Sequence, residues 1–186
     1  MSARVHILGA SGSGTTSLAS RLCRRHGWAH FDTDDFFWIK TDPPYTEIRP
    51  TRERTDMLGA ALAGASGWAL SGSLCGWGDI FIPQFDLVVF LEVPTEIRIR
   101  RLTAREAGRY GPGGIDPGGV MHDAFIEFMA WTAQYDAGAP TMRSRALHEA
   151  WLAKLPCPVL RLDGTQTEAE LADAVAARLS LLGRQS

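Results

Sequence analysis

Lysine is almost absent from this chain: Lys40 and Lys154 stand against 17 arginines in 186 residues. A site that needs a side-chain cation must therefore draw on arginine, whose planar fork suits phosphate and carboxylate. Large net charge is missing too. A balance of −2 excludes a general attraction to nucleic acid or to an anionic membrane surface, so any cationic site is local. No apolar stretch approaches the roughly 20 residues that span a bilayer. The first apolar run begins so early that a signal peptide is not expected, and a cytoplasmic location is. Cys23, Cys75 and Cys157 are odd in number, widely spaced and without metal-ligand spacing, which suits a reducing compartment. The five histidines show no ligand spacing either, and there are no repeats or heptads. What is present is ordinary globular material, 45% hydrophobic and 22% charged, enough for one domain over residues 1–186.

The periodicity alternates between strand and helix. Short apolar runs at about 4–8, 28–32, 68–71, 86–93 and 158–162 read as strands. The run at 86–93 is nearly continuous, as in a central strand buried on both faces. Helical spacing is expected over about 15–26, 51–64, 95–107, 121–137 and 141–155, with a last helix opened by the capping-box pair Thr167 and Glu170. This order predicts an α/β fold: a three-layer parallel sheet of about five strands flanked by helices. Residues 41–50 hold three prolines and read as an irregular loop. Residues 108–119 carry six glycines and two prolines, the composition of a small mobile lid.

Between the first strand and first helix lies Gly9-Ala10-Ser11-Gly12-Ser13-Gly14-Thr15-Thr16. This matches Gly-x4-Gly-Lys-[Ser/Thr] except that Thr15 stands where lysine is usual. Glycines turn the backbone so that successive N–H groups point inward, and the following helix adds its positive end. A hydrogen bond to a charged group is worth about 1.5–3 kcal/mol. One lysine about 4 Å from a phosphate adds ~4 kcal/mol at an effective dielectric of 20. Several main-chain donors thus equal or exceed the lysine in binding, and its loss bears more on the transition state.

The loop, the element order, and Val93-Pro94-Thr95-Glu96 followed by Arg101-Leu102-Thr103-Ala104-Arg105 together resemble the adenylate-kinase-like branch of P-loop kinases. The Gly-Ser-Gly-Thr-Thr form of the loop is similar to that of archaeal-type cytidylate kinases. Asp32-Thr33-Asp34 resembles the Asp-x-Asp of shikimate and gluconate kinases. The resemblance implies ATP and Mg2+ as cofactors. It assigns residues 9–16 and Arg101 to the nucleotide, and Thr16 and Asp32 to the metal. It gives Asp32, Asp34, Arg101 and Arg105 catalytic roles, with Arg98 on the same helix as a further cation. It points to Asp34 and Arg143 for the acceptor, an acceptor-binding segment at about 33–66 and a lid at about 106–122; Arg49, Arg52 and Arg54, at the start of the second helix, are further candidates to grip an acceptor phosphate.

Two departures matter. Monophosphate kinases usually end the third strand with Leu-Asp-Gly-Phe-Pro-Arg, whereas this chain has Leu70-Ser71-Gly72-Ser73-Leu74-Cys75. The missing acid shifts metal placement onto Asp32 and Asp34, and the missing arginine weakens the case for a monophosphate acceptor. The expectation is an ATP-dependent phosphotransferase, monomeric or homodimeric, with a nucleoside monophosphate as the first acceptor to test and a hydroxylated metabolite of the shikimate or gluconate type as the alternative. A nucleotide-binding regulator with reduced catalysis is the rival class. Nucleic-acid and membrane partners are not expected.

Overall fold

The computed structural model describes residues 2–183. Five strands form one parallel sheet: β1 (Arg4–Gly9), β2 (Ala29–Asp32), β3 (Trp68–Ser71), β4 (Leu87–Glu92) and β5 (Val159–Asp163), in the order β2-β3-β1-β4-β5. Seven helices connect and cover them: α1 (Thr15–His26), α2 (Thr33–Phe37), α3 (Thr51–Ala63), α4 (Thr95–Tyr110), α5 (His122–Ala133), α6 (Arg145–Leu152) and α7 (Glu168–Leu182). None of the helices among the described residues is long and apolar enough to cross a membrane.

A parallel sheet needs apolar cover on both faces. Val5, Ile7, Val89 and Leu91 pack against Leu18 and Leu22 of α1 and against Leu171, Val175 and Leu179 of α7. Leu8, Leu70, Val88 and Phe90 pack against Leu58 and Leu62 of α3 and Trp151 and Leu152 of α6. Full burial of such a side chain is worth about 1.5–3 kcal/mol. The chain leaves central β1 toward β2 on one side and later reaches β4 on the other. That reversal opens a crevice at the carboxyl ends of the strands, where Gly9, Asp32 and Ser71 all lie.

Four local differences from the expected elements have identifiable causes. Asp32 caps a short helix, α2, because its Oδ1 accepts the Asp34 N–H at 3.1 Å. The proline-rich loop is closed as an excursion: Ile39 N–H donates to Glu47 O and Arg49 N–H to Phe37 O, each at 2.9 Å. Helix α4 runs on to Tyr110 and stops at Gly111, whose φ of 74° only glycine adopts readily. Helix α6 begins later than its periodicity suggests, because the Ser144 hydroxyl accepts the Leu147 N–H at 3.1 Å. Thr167 and Glu170 form the expected capping box on α7.

Candidate active site

The phosphate-loop sequence folds as a tight cradle. Ser13 N–H donates to Ala10 O at 3.0 Å. Gly12 has φ 80°, and a Cβ there would lie 2.8 Å from the Arg98 carbonyl, so the loop is seated directly on α4. Gly14, at φ 94°, caps α1 without any side-chain acceptor, and the first turn of α1 carries no acid. The opening N–H groups of α1 are therefore left for an anion. The Ser13 hydroxyl is buried without a partner, tucked under Gly9.

Asp32 is the hub beside this cradle. Its Oδ2 accepts the Thr16 hydroxyl at 2.8 Å and the Ser71 hydroxyl at 2.7 Å. Register puts Asp32 opposite Ser71 and Ser71 opposite Ile7, so three adjacent strands deliver these groups to one place. Ser71, where monophosphate kinases carry the acid, thus holds the acid of the neighbouring strand. Asp34 follows two residues on, in the first turn of α2. Burial raises its pKa, the Asp32 charge adds to the rise, and Arg143 and Arg105 partly offset it.

The arginines separate into distinct roles. Arg143 reaches the loop, its Nη2 3.4 Å from Gly9 O and its Nε buried without a partner. Its field also reaches Asp34, Cys75, Tyr135 and His148. Arg105 is half-exposed and is steered by buried Glu106 at 2.7 Å, with the Phe128 ring 5.8 Å away. Exposed Arg101 faces the turn after β5, where its charge helps lower the Asp163 pKa behind the stronger effects of the Thr165 hydroxyl and amide. Gly164 in that turn packs so closely that a Cβ would lie 3.1 Å from Ser13 O. A cavity of about 480 Å3 opens on this side, lined in part by Ala10, Glu92, Val93 and Asp163.

The structure gives three of the expected arginines other partners. Arg98 is fully buried and donates to Val93 O, the Thr95 hydroxyl and Asp136, so it braces α4 and cannot serve a phosphate. Arg49 donates to Phe36 O at 3.0 Å and Trp38 O at 3.2 Å, which fixes the backbone of the 33–50 segment. The Arg52 side chain is 94% exposed and pairs with Asp56 on the outer face of α3.

Arg54, the third arginine expected near the acceptor, is the one on the inward stripe of α3. It is only 9% exposed, its guanidinium lies 4.2 Å from the Phe37 ring centroid and 5.6 Å from that of Trp77, and no carboxylate pairs with it among the described residues. Its Nε donates to Arg49 O at 2.6 Å. The signal was present in the spacing: 54, 58 and 62 form the buried stripe of α3, and an arginine on an inward stripe calls for an anion.

Comparison with known proteins follows the same lines. No family model matches the chain. It is 42% identical over 180 residues to the uncharacterized protein YqaC of Bacillus subtilis, covering 97% of this chain and 99% of that one. It is 29% identical over 112 residues to the cytidylate kinase of Thermococcus sibiricus, covering 55% of this chain and 56% of that enzyme. The fold is shared with the shikimate kinase of Acinetobacter baumannii solved with shikimate, at a TM-score of 0.58 and 16% identity, over 100% of this chain and 96% of that one.

Proposed function

The chain belongs to the family of Bacillus subtilis YqaC, and on that premise we propose that it is an ATP-dependent kinase of a small, anionic, hydroxyl-bearing acceptor. The observation that carries the reading is the Thr16–Asp32–Ser71 array beside an uncapped helix N-terminus. Phosphoryl transfer asks chiefly for positioning and charge neutralisation, and this array, with its arginines, has the parts for both.

The N–H groups of residues 10–16 and the first turn of α1 would hold the phosphates. Arg143, lying on the loop, would supply the charge that Thr15 lacks. Arg105 would approach the transferring group, and Arg101 with the Asp163-Gly164 turn would flank the base. Thr16 Oγ1 and the Asp32 carboxylate offer hard oxygens, and the described residues contain no group of three or more His, Cys, Asp or Glu arranged as a metal cage. That pairing suits Mg2+ with most of its waters kept. Bound there, the ion would neutralise charge on the phosphoryl oxygens.

Asp34 would act as the general base. Its raised pKa makes it a stronger base than an ordinary carboxylate. It would take the acceptor's hydroxyl proton as that oxygen bonds to the γ-phosphorus and the bond to the β-bridging oxygen breaks, releasing ADP. A base favours a hydroxyl acceptor over a nucleoside monophosphate. A phosphate acceptor is already ionised near neutrality and has no need of a base. Arg54, between Phe37 and Trp77, would hold the acceptor's anionic group.

ADP release with a panel of hydroxylated carboxylates, sugar acids and nucleoside monophosphates tests this. Turnover with a hydroxylated anion is expected. Turnover confined to monophosphates would overturn the acceptor class. Tight nucleotide binding without turnover on any acceptor would overturn the kinase and favour a regulator.

A further inference from the structure

A hydrogen-bonded chain that none of the roles above uses runs from beneath the loop to the acceptor wall. The Tyr135 hydroxyl is 2.8 Å from His148 Nδ1, and His148 Nε2 is 3.1 Å from the Ser73 hydroxyl. Tyr135 follows α5, His148 lies on α6, and Ser73 is two residues past the end of β3. His148 is fully buried and Tyr135 nearly so, while Ser73 is partly open. Ser73 follows the carboxyl end of β3, the end of the sheet at which Gly9 and Asp32 also lie. Trp77 Nε1 donates to Ser73 O at 3.2 Å, and the same indole lies under Arg54. Trp77 therefore ties the position of Ser73 to that of the unpaired guanidinium.

We propose that Ser73 is an acceptor-binding residue whose hydroxyl hydrogen is aimed into the crevice by Tyr135 and His148, so that it bonds an oxygen of the acceptor's anionic group alongside Arg54. This rests on the kinase reading for the identity of the ligand, but the aiming rests on geometry alone. The Tyr135 proton has His148 Nδ1 as its hydrogen-bond partner among the described residues. In the proposed arrangement the hydroxyl donates and Nδ1 is the bare nitrogen. A neutral imidazole then carries its hydrogen on Nε2 and donates it to Ser73 Oγ. The Ser73 oxygen is thereby occupied as an acceptor, and its own hydrogen is left to donate outward.

Titration agrees with this arrangement. Burial, then the Arg143 charge, lowers the His148 pKa to about 3, and burial raises that of Tyr135 well above its ordinary value, so both stay neutral near pH 7. Among the described residues, the Cys75 sulfur competes for the Ser73 hydrogen. Sulfur is a weak acceptor, and an anionic oxygen displaces it.

Two measurements test the proposal. Long-range 15N–1H spectra of the wild-type chain report the His148 tautomer without any ligand. A neutral Nε2–H form is expected, converting toward Nδ1–H in Tyr135→Phe. An Nδ1–H form in the wild type would overturn the proposal, because Ser73 would then donate inward. For the acceptor that the panel identifies, Ser73→Ala should raise KM about tenfold or more, as loss of a hydrogen bond to a charged group does. The KM for ATP should stay fixed, and Ser73→Thr should restore the acceptor KM. An unchanged acceptor KM in Ser73→Ala overturns the proposal while leaving the kinase intact. A chain that turns over nothing overturns the kinase, and with it the ligand assigned to Ser73.

Discussion

Thr16 Oγ1 donates to Asp32 Oδ2 at 2.8 Å, joining the first turn of α1 to the end of β2. Ser71 donates to the same oxygen, so the carboxylate sits where two hydroxyls fix its direction. A group held this firmly is pre-organised for a cation and a polyphosphate. Asp32→Asn keeps the size but removes the charge. Turnover should fall about a hundredfold or more, the scale of a lost electrostatic catalyst, while ADP affinity in the absence of magnesium changes little. Equal magnesium dependence in wild type and variant would remove Asp32 from the metal role.

Asp34 should set the acid limb of the pH–rate profile. Its pKa is raised by burial and by Asp32, so the limb should lie above the ordinary carboxylate range. The stability sign follows. A carboxylate whose pKa rises on folding favours the folded chain below its unfolded pKa, and that contribution is lost as pH rises through the folded pKa. Asp34→Asn should therefore be inactive yet thermally more stable than wild type at pH 7. A less stable variant would contradict the electrostatic account of Asp34.

Arg54 and Arg52 lie two residues apart on one helix and should behave oppositely. Arg54→Met keeps bulk against Phe37 and Trp77 and removes a buried unpaired charge. Its stability should be unchanged or higher, with the acceptor KM raised about tenfold or more. Arg52→Ala should leave both quantities alone. Kinetics and thermal melts on the two variants check this, and a loss of acceptor binding in Arg52→Ala alone would reverse the assignment.

Acid should unfold the protein through its buried histidines. Burial lowers the His6 pKa to about 4, against the smaller opposing effect of its hydrogen bond to Leu70 O, and the His148 pKa lies at about 3. Both are depressed, so their contribution is fully present above pH 6.5 and is lost as pH falls toward those values. Each histidine should cost about 1.4 kcal/mol per pH unit within that window. Denaturant titrations at pH 7, 5.5 and 4.5 should show this slope, and a flat profile would contradict it.

The parts of the site that are legible in the sequence are those set by local rules. Gly9 to Thr16 is contiguous, and its glycines have one backbone explanation. The sheet was legible because buried parallel strands read as apolar runs. What was not legible depends on which strands become neighbours or which stripe of a helix turns inward. The Asp32–Ser71 contact needs β3 inserted between β2 and β1. Helix α4 carries four arginines between 98 and 105, and nothing local says that 98, 102 and 106 form its buried stripe. Periodicity grouped Arg98 with Arg101 and Arg105, yet packing gave it to Asp136 instead. Which of Arg49, Arg52 and Arg54 turns inward was hidden for a related reason: a pattern of apolar residues does not register a cation on the inner face.

The most direct test is calorimetric titration of the wild-type chain with Mg-ADP, beside Arg143→Ala and Arg143→Ala carrying Thr15→Lys. Micromolar binding is expected in the wild type, from loop amides helped by Arg143. It should weaken about tenfold or more in Arg143→Ala and recover in part when a lysine returns at position 15. Absence of heat in the wild type, with ATP as with ADP, would contradict the claim that this loop grips a polyphosphate without its lysine.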